Sequence, residues 1–154
     1  LLFRLGSMLK DSNDISQMTF PVELILKHSN TYKLECRPVD ELYSVLNNVQ
    51  IISNTELIEV DKLPVFLSFN VENYDNFPVI TTSHGNIGIT EDTISYDGYK
   101  IKTNTSHVIS VLIDTFSVEI YCDGSVIAYS HPTPITNVKI NSASLTNLKI
   151  YTLT

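Results

Sequence analysis

One stretch, residues 107–129, restricts what this chain can fold into more than any other. It reads HVISVLIDTFSVEIYCDGSVIAY and holds three runs rich in β-branched residues, separated by a DTF turn and by Asp123-Gly124. An Asp-Gly pair between two alternating runs is a strong hairpin signal, because a type I′ turn needs positive φ at both central residues and Asp and Gly tolerate it. The stretch therefore predicts a three-stranded antiparallel meander.

Alternation along the second run of this meander divides its side chains between the two faces of a sheet. Val118, Ile120 and Cys122 point to one face, whereas Glu119 and Tyr121 point to the other. We expect the first face to belong to the core and the second to remain available.

The remainder of the chain repeats this kind of segment. Of its 154 residues, 43% are hydrophobic and 18% are charged, which is typical of a folded globular domain. Ile, Val, Thr and Tyr are frequent, and short runs bounded by turn residues recur at roughly 8 to 12-residue spacing. The sequence predicts an all-β fold, a two-sheet antiparallel β-sandwich of the jelly-roll or concanavalin type, formed as a single domain by residues 18–154.

Three segments of this predicted sandwich need separate mention. Residues 18–27 and 31–36 predict a first hairpin, whose leading strand becomes regular only after Pro21. One short helix is expected near residues 38–46, where helical spacing places four apolar side chains on one face: Val39, Leu42, Val45 and Leu46. The short, polar runs between residues 77 and 102 are expected to be edge or rim strands.

Composition excludes several classes of function. The net charge of −7 and the absence of Lys/Arg clusters argue against a nucleic-acid partner. No apolar run approaches the roughly 20 residues of a membrane span. Scattered glycines and unpaired histidines predict neither a nucleotide cofactor nor a metal site. The two cysteines, Cys36 and Cys122, are expected to be small buried or half-buried thiols; a disulfide between them is the alternative if the fold brings their Cα atoms within about 7 Å. Residues 1–17 are expected to be a leader and linker, the first eight of them vector-derived, and the chain a piece of a longer gene product.

Tyrosines and carboxylates are candidates for a sugar site, since sugar rings stack on aromatic planes while their hydroxyl groups need polar partners. Paired carboxylates can also carry glycoside hydrolysis. The alternative is structural, with Asp114 capping its turn and Glu119 facing outward or pairing with a base. The candidate carboxylates are Glu23, Glu35, Glu41, Asp114 and Glu119, and the candidate rings are Tyr96, Tyr99, Tyr121, Tyr129 and Tyr151.

Three segments, in order along the chain, resemble one family. MTFPVELIL (18–26), LECRPVDELYSVL (34–46) and VLIDTFSVEIYCDGS (111–125) are similar to motifs of the C-terminal β-sandwich of glycoside hydrolase family 32, the β-fructosidases. In that family a catalytic five-bladed propeller precedes the sandwich and carries the catalytic motifs. This chain departs from the pattern at Val22 and Thr115, where the family has arginines. The Glu35-Cys36 pair has the same two residues as the family's Glu-Cys motif, which carries the acid/base glutamate. Because the pair lies within a segment that resembles the sandwich, Glu35 is rejected as a catalytic acid.

The resemblance implies a domain without catalytic residues or cofactors of its own, which supports the propeller of its parent chain. The alternatives are a fructan-binding or fructose-binding module and a homodimerisation domain. The residues expected to form a sugar-binding or structural polar cluster are Asp114, Glu119, Tyr121 and Glu23. The compartment in which the parent protein works stays open.

Overall fold

The computed structural model describes residues 19–46, 48–52, 57–75 and 78–152, so the predicted leader and linker lie outside the described residues. The strands are β1 (Val22–His28), β2 (Tyr32–Pro38), β3 (Asn48–Ile52), β4 (Leu57–Val60), β5 (Val65–Val71), β6 (Ile80–Thr82), β7 (Asn86–Ile89), β8 (Thr93–Tyr96), β9 (Tyr99–Lys102), β10 (Ile109–Ile113), β11 (Ser117–Cys122), β12 (Ser125–Ser130), β13 (Val138–Asn141) and β14 (Leu145–Thr152). The helix α1 covers Glu41–Val45, and a 3₁₀ turn covers Ser142–Ser144.

Two six-stranded antiparallel sheets face each other, and the predicted β-sandwich is confirmed. The first sheet has the order β12-β11-β10-β5-β14-β3, and the second has the order β4-β13-β6-β7-β8-β9. The predicted meander forms the first three strands of the first sheet, with Ile120 opposite Val111 on one side and Ile127 on the other. The first hairpin, β1-β2, forms a separate two-stranded sheet.

Two Asp-Gly turns of the sandwich have left-handed central residues, as the sequence predicts for Asp123-Gly124. Asp123 and Gly124 have φ values of 47° and 76°, so both central residues of the β11–β12 turn are left-handed. Asp97 and Gly98, between β8 and β9, have φ values of 47° and 81°. This backbone matches the right-handed twist of the paired strands, which is why Asp-Gly fixes both hairpins.

The main core lies between the sheets and consists of the alternate residues of facing strands. Val118 and Ile120 of β11 are fully buried in it, as predicted for this face. The expectation that the short runs after residue 77 are rim strands is wrong for β6, β7 and β8, which lie inside the second sheet. Their residues Ile80, Ile87 and Ile94 are completely buried, because a strand of three or four residues still presents one or two side chains to the core.

The outer face of the first sheet is covered over strands β10 and β11, contrary to the expectation that it is available. Leu42 and Leu46 of the α1 region pack on Phe66 and Leu112 of this face in a second apolar cluster. Val45 does not join them and is exposed, because the five-residue helix turns it away from the sheet. Strands β10 and β11 are therefore covered on both faces.

No helix within the described residues is long and apolar enough to cross a bilayer.

Candidate functional site

A buried carboxylate lies under the chain segment that leads into β1. Glu119 of β11 is 1% exposed, and its Oε1 accepts a hydrogen bond of 3.0 Å from the backbone N–H of Phe20. Its Oε2 accepts from the hydroxyl of Tyr121, two residues along the same strand. Both residues stand on the outer face of the first sheet, since alternate residues of a strand share a face. Glu119 therefore attaches the leading segment to the meander.

The environment of Glu119 favours its protonated form. Burial raises the pKa of Glu119, and the nearby charge of Asp114 raises it further. The hydrogen bonds from Tyr121 and from the Phe20 N–H act in the opposite direction and lower this pKa, because both stabilise the carboxylate. The carboxyl group is therefore a buried acceptor for two donors, with a raised affinity for a proton.

The other two predicted cluster residues lie elsewhere. Asp114 is in the β10–β11 turn, where its Oδ1 accepts a hydrogen bond of 2.7 Å from the Thr115 N–H. Glu23 is on β1, where its Oε2 lies 2.6 Å from a terminal guanidinium nitrogen of Arg37 on β2. The structure thus brings Glu119 and Tyr121 into contact, leaves Asp114 as a neighbouring charge and engages Glu23 in an exposed ion pair. Whether the cluster binds a sugar stays a prediction.

The β1-β2 hairpin has one charged face, and this face lies against the meander. Lys27 and Lys33 both pair with Glu35, at 2.7 and 3.5 Å, and the Lys33 ammonium group also donates to the Asp123 carbonyl. The backbone N–H of Cys36 donates to the carbonyl of Gly124 at 2.9 Å. The hairpin is therefore attached through polar contacts to the type I′ turn of the meander.

The other face of the hairpin is apolar, and its outer half is uncovered. Leu26 pairs with Leu34 and Leu24 with Cys36, so these side chains stand together on one face. Leu26 is 65% exposed, Leu34 is 60% exposed and Tyr32, next along β2, is 72% exposed. We call Leu24, Leu26, Tyr32 and Leu34 the hairpin patch. Sequence reasoning located the hairpin but did not show which face would be bare.

Tyrosine and histidine rings meet where the edge strands β9 and β12 approach each other. Tyr99 of β9 and Tyr129 of β12 have ring centroids 5.3 Å apart, and Tyr129 lies 4.8 Å from His131. His131 stacks on His84 at 4.5 Å with nearly parallel planes. Tyr96, Tyr99 and Tyr129 are thus brought together, whereas Tyr151 lies in the second apolar cluster.

The ring of His131 is buried. Its Nε2 lies 2.7 Å from the hydroxyl of Tyr96, which is 3.3 Å from Oγ1 of Thr82. Burial lowers the pKa of His131, and the stacked His84 lowers it further, so the neutral imidazole is favoured. Residue 131 directly follows β12, and only the pairing of distant strands brings it against Tyr96.

Cofactor and thiol chemistry find little support in the described part of the chain. Among these residues no group of three or more His, Cys, Asp and Glu side chains is arranged to hold a metal ion. Cys36 and Cys122 are not joined by a disulfide, and the Cys122 thiol donates to the Asn104 carbonyl at 3.3 Å. Burial raises the pKa of Cys122, which favours the unreactive thiol.

Comparison with known proteins yields a structural likeness. No protein-family model and no curated protein sequence matches the chain. Its fold is similar to part of the structure of a glycoside hydrolase family 32 protein from Bifidobacterium adolescentis, with a TM-score of 0.60 and 12% sequence identity. The likeness covers 90% of this chain but only 26% of that protein's chain. At this identity it establishes the fold that the two share, a β-sandwich that forms about a quarter of the longer protein.

Proposed function

We propose that this chain is a non-catalytic accessory domain of a β-fructosidase and that it packs against the catalytic propeller of its parent protein. Two independent lines support the proposal. The sandwich is similar to a quarter of a glycoside hydrolase family 32 chain. Residues 18–26, 34–46 and 111–125 resemble motifs of the C-terminal sandwich of that family.

The observation that carries the proposal is the hairpin patch. Leu24, Leu26, Tyr32 and Leu34 form a continuous apolar surface on a hairpin that is attached by its opposite, charged face. Contiguous exposed apolar side chains mark interaction surfaces more often than isolated ones do. A domain that buttresses a neighbour needs such a surface, and the polar attachment to the meander holds this one in a fixed orientation.

The carboxylates described above fit a supporting role better than a catalytic one. Glycoside hydrolysis needs two carboxyl groups that flank an accessible glycosidic bond. Glu119 is buried and accepts hydrogen bonds from a backbone N–H and a tyrosine, while Glu23 pairs with Arg37 on the hairpin. Each group already has a structural partner, so we expect the isolated chain to leave sucrose and inulin intact.

Parentage and activity can be tested directly. Sequencing the gene upstream of the codon for Met18 should reveal a propeller that carries the catalytic motifs of the family. Incubating the purified chain with sucrose and inulin should release no fructose. A different upstream domain, or measurable turnover by the isolated chain, would contradict the proposal.

The docking surface can be tested with that propeller expressed as a separate polypeptide. Titration calorimetry should detect binding of the chain, and Leu26→Lys together with Leu34→Lys should weaken it at least tenfold, since a desolvated lysine disfavours an apolar interface. Ile51→Lys is the matched control, because Ile51 is 74% exposed on β3, far in sequence from the hairpin. Equal losses in both variants would remove the hairpin patch as the docking surface.

The alternatives give different results in the same experiments. A fructan-binding module that used Asp114, Glu119 and Tyr121 would require a ligand to displace the segment holding Phe20, because Glu119 and Tyr121 are 1% and 4% exposed. Titration with levan, inulin and fructose would then release heat that Glu119→Gln abolishes. A homodimer joined through the hairpin patch would show twice the monomer mass in light scattering and would return to the monomer mass in the lysine variant.

A further inference from the structure

A strip of aromatic rings crosses the seam between the two sheets. Tyr99 belongs to β9, an edge strand of the second sheet, and Tyr129 belongs to β12, an edge strand of the first. Their ring centroids are 5.3 Å apart with planes inclined at 54°. Tyr99 is 53% exposed and Tyr129 is partly exposed, so solvent reaches both rings. We call these two rings, with the carboxylate of Asp97, the seam platform.

The seam platform is supported from beneath by buried rings. Tyr129 contacts His131 at 4.8 Å and Tyr96 at 6.0 Å, both measured between ring centroids. The hydroxyl of Tyr96 joins the His131 ring to Thr82, and Oγ1 of Thr82 donates in turn to the carbonyl of Gly85. Because these groups satisfy one another, the rings behind Tyr129 are fixed, and a ligand would meet a preorganised surface.

A hydrogen-bond acceptor lies beside the rings. Asp97, in the turn between β8 and β9, is exposed and lies near the hydroxyl group of Tyr129. Burial raises the pKa of Tyr129 and the nearby Asp97 carboxylate raises it further, so the Tyr129 hydroxyl group stays protonated. The exposed Asp97 carboxylate can accept from ligand hydroxyl groups, because an ionised carboxylate offers about four acceptor sites. The platform thus combines apolar ring faces with an acceptor for hydroxyl groups.

We propose that the seam platform binds a neutral polysaccharide, with a sugar ring stacked on Tyr99 and its hydroxyl groups donating to Asp97. A sugar presents a C–H face to an aromatic ring and hydroxyl donors at its rim, which matches both parts of the platform. Anionic ligands such as nucleic acid are disfavoured by Asp97 and by the net charge of −7. The proposal goes beyond the accessory role, since it uses neither the hairpin patch nor a catalytic domain.

Affinity electrophoresis of the whole chain tests this inference. Native gels would contain inulin, levan, hydroxyethylcellulose, xylan or mannan, and the migration of the wild-type chain would be compared with a polysaccharide-free gel. We expect retardation by at least one of these polymers. Tyr99→Ala should weaken binding about tenfold, whereas Tyr99→Phe should preserve it, because the stacked ring and not its hydroxyl carries the contact.

Two further variants separate the platform from general surface effects. Asp97→Asn removes the charge while keeping the left-handed turn, since asparagine tolerates the φ of 47° that residue 97 adopts, and it should also reduce retardation. Tyr32→Ala removes an exposed tyrosine from the hairpin patch and should leave retardation unchanged. Failure of every polymer to retard the wild type, or equal retardation of wild type and Tyr99→Ala, would overturn the inference. Loss of retardation in Tyr32→Ala would overturn it as well, because binding would then lie on the hairpin.

Discussion

Replacement of Glu119 by alanine should release the segment that leads into β1. In the folded chain, the Phe20 N–H and the Tyr121 hydroxyl both donate to this carboxylate. Each donor left unsatisfied in a buried site costs about 1–3 kcal/mol, and relief of the buried carboxyl group offsets part of the sum. We therefore expect the free energy of unfolding to fall by about 3 kcal/mol in urea titrations at neutral pH. Hydrogen exchange at the Phe20 amide should accelerate in parallel.

Glu119→Gln is the matched control, because its amide oxygen can still accept from the Phe20 N–H while its nitrogen donates to the Tyr121 oxygen. It should lower the free energy of unfolding by only about 1 kcal/mol. The pKa of Glu119 is raised above its ordinary value of 4.5, so above that pH the folded wild type holds more protons than the unfolded chain. The stability that wild type gains from protonated Glu119 is thus present at low pH and is lost as pH rises through the raised pKa. The stability difference between wild type and Glu119→Gln should shrink over the same range.

The reasoning would be refuted by a Glu119→Ala variant whose stability lies within about 0.5 kcal/mol of wild type with an unchanged urea dependence, since this is the usual effect of a surface substitution. Unchanged exchange at the Phe20 amide would contradict the attachment of the leading segment even if global stability fell.

Three further predictions concern other parts of the fold. Gly98→Ala should lower the free energy of unfolding by about 1–2 kcal/mol, because alanine disfavours the φ of 81° at this position. Gly124→Ala should lower it further, because the new Cβ would lie 2.6 Å from Cβ of Glu35. Equal urea midpoints for the two variants would contradict this contact. The free energy of unfolding should fall as pH drops below the ordinary histidine pKa of 6.5, because the pKa of His131 is lowered in the folded chain and the unfolded chain therefore takes up the proton first. In urea titrations at about pH 5 and pH 7, His131→Gln should show a smaller difference between the two free energies of unfolding than wild type does. Leu112→Ala should lower the free energy of unfolding by about 2–5 kcal/mol in thermal or urea unfolding. A decrease of less than about 1 kcal/mol would show that the outer face around Leu112 is not packed.

The strands of this protein could be predicted because their signals are local. Alternation and the two Asp-Gly turns located the meander, the first hairpin and the runs of the second sheet, and helical spacing located α1. The conformation of a tight turn depends on its own residues, so the identities of Asp123 and Gly124 were enough to predict their left-handed backbone. The sandwich followed from the number and spacing of these elements.

The candidate sites depended on contacts that sequence periodicity does not encode. Glu119 accepts from Phe20 across 99 residues, and His131 meets Tyr96 across 35. Alternation correctly placed Glu119 and Tyr121 on the outer face, but which segment covers that face is decided by the path of the chain before β1. For the same reason the buried histidine was missed, since nothing beside His131 in the sequence indicates the tyrosine against which it packs.

The position of β14 has a consequence for biosynthesis. This strand, Leu145–Thr152, lies between β5 and β3 in the first sheet and pairs with both. While a ribosome is still translating the region before it, β3 and the near edge of β5 have no partner in their own sheet. The first sheet can therefore close only after Leu145–Thr152 has left the exit tunnel, and until then nascent chains expose unpaired strand edges that chaperones would need to shield from one another.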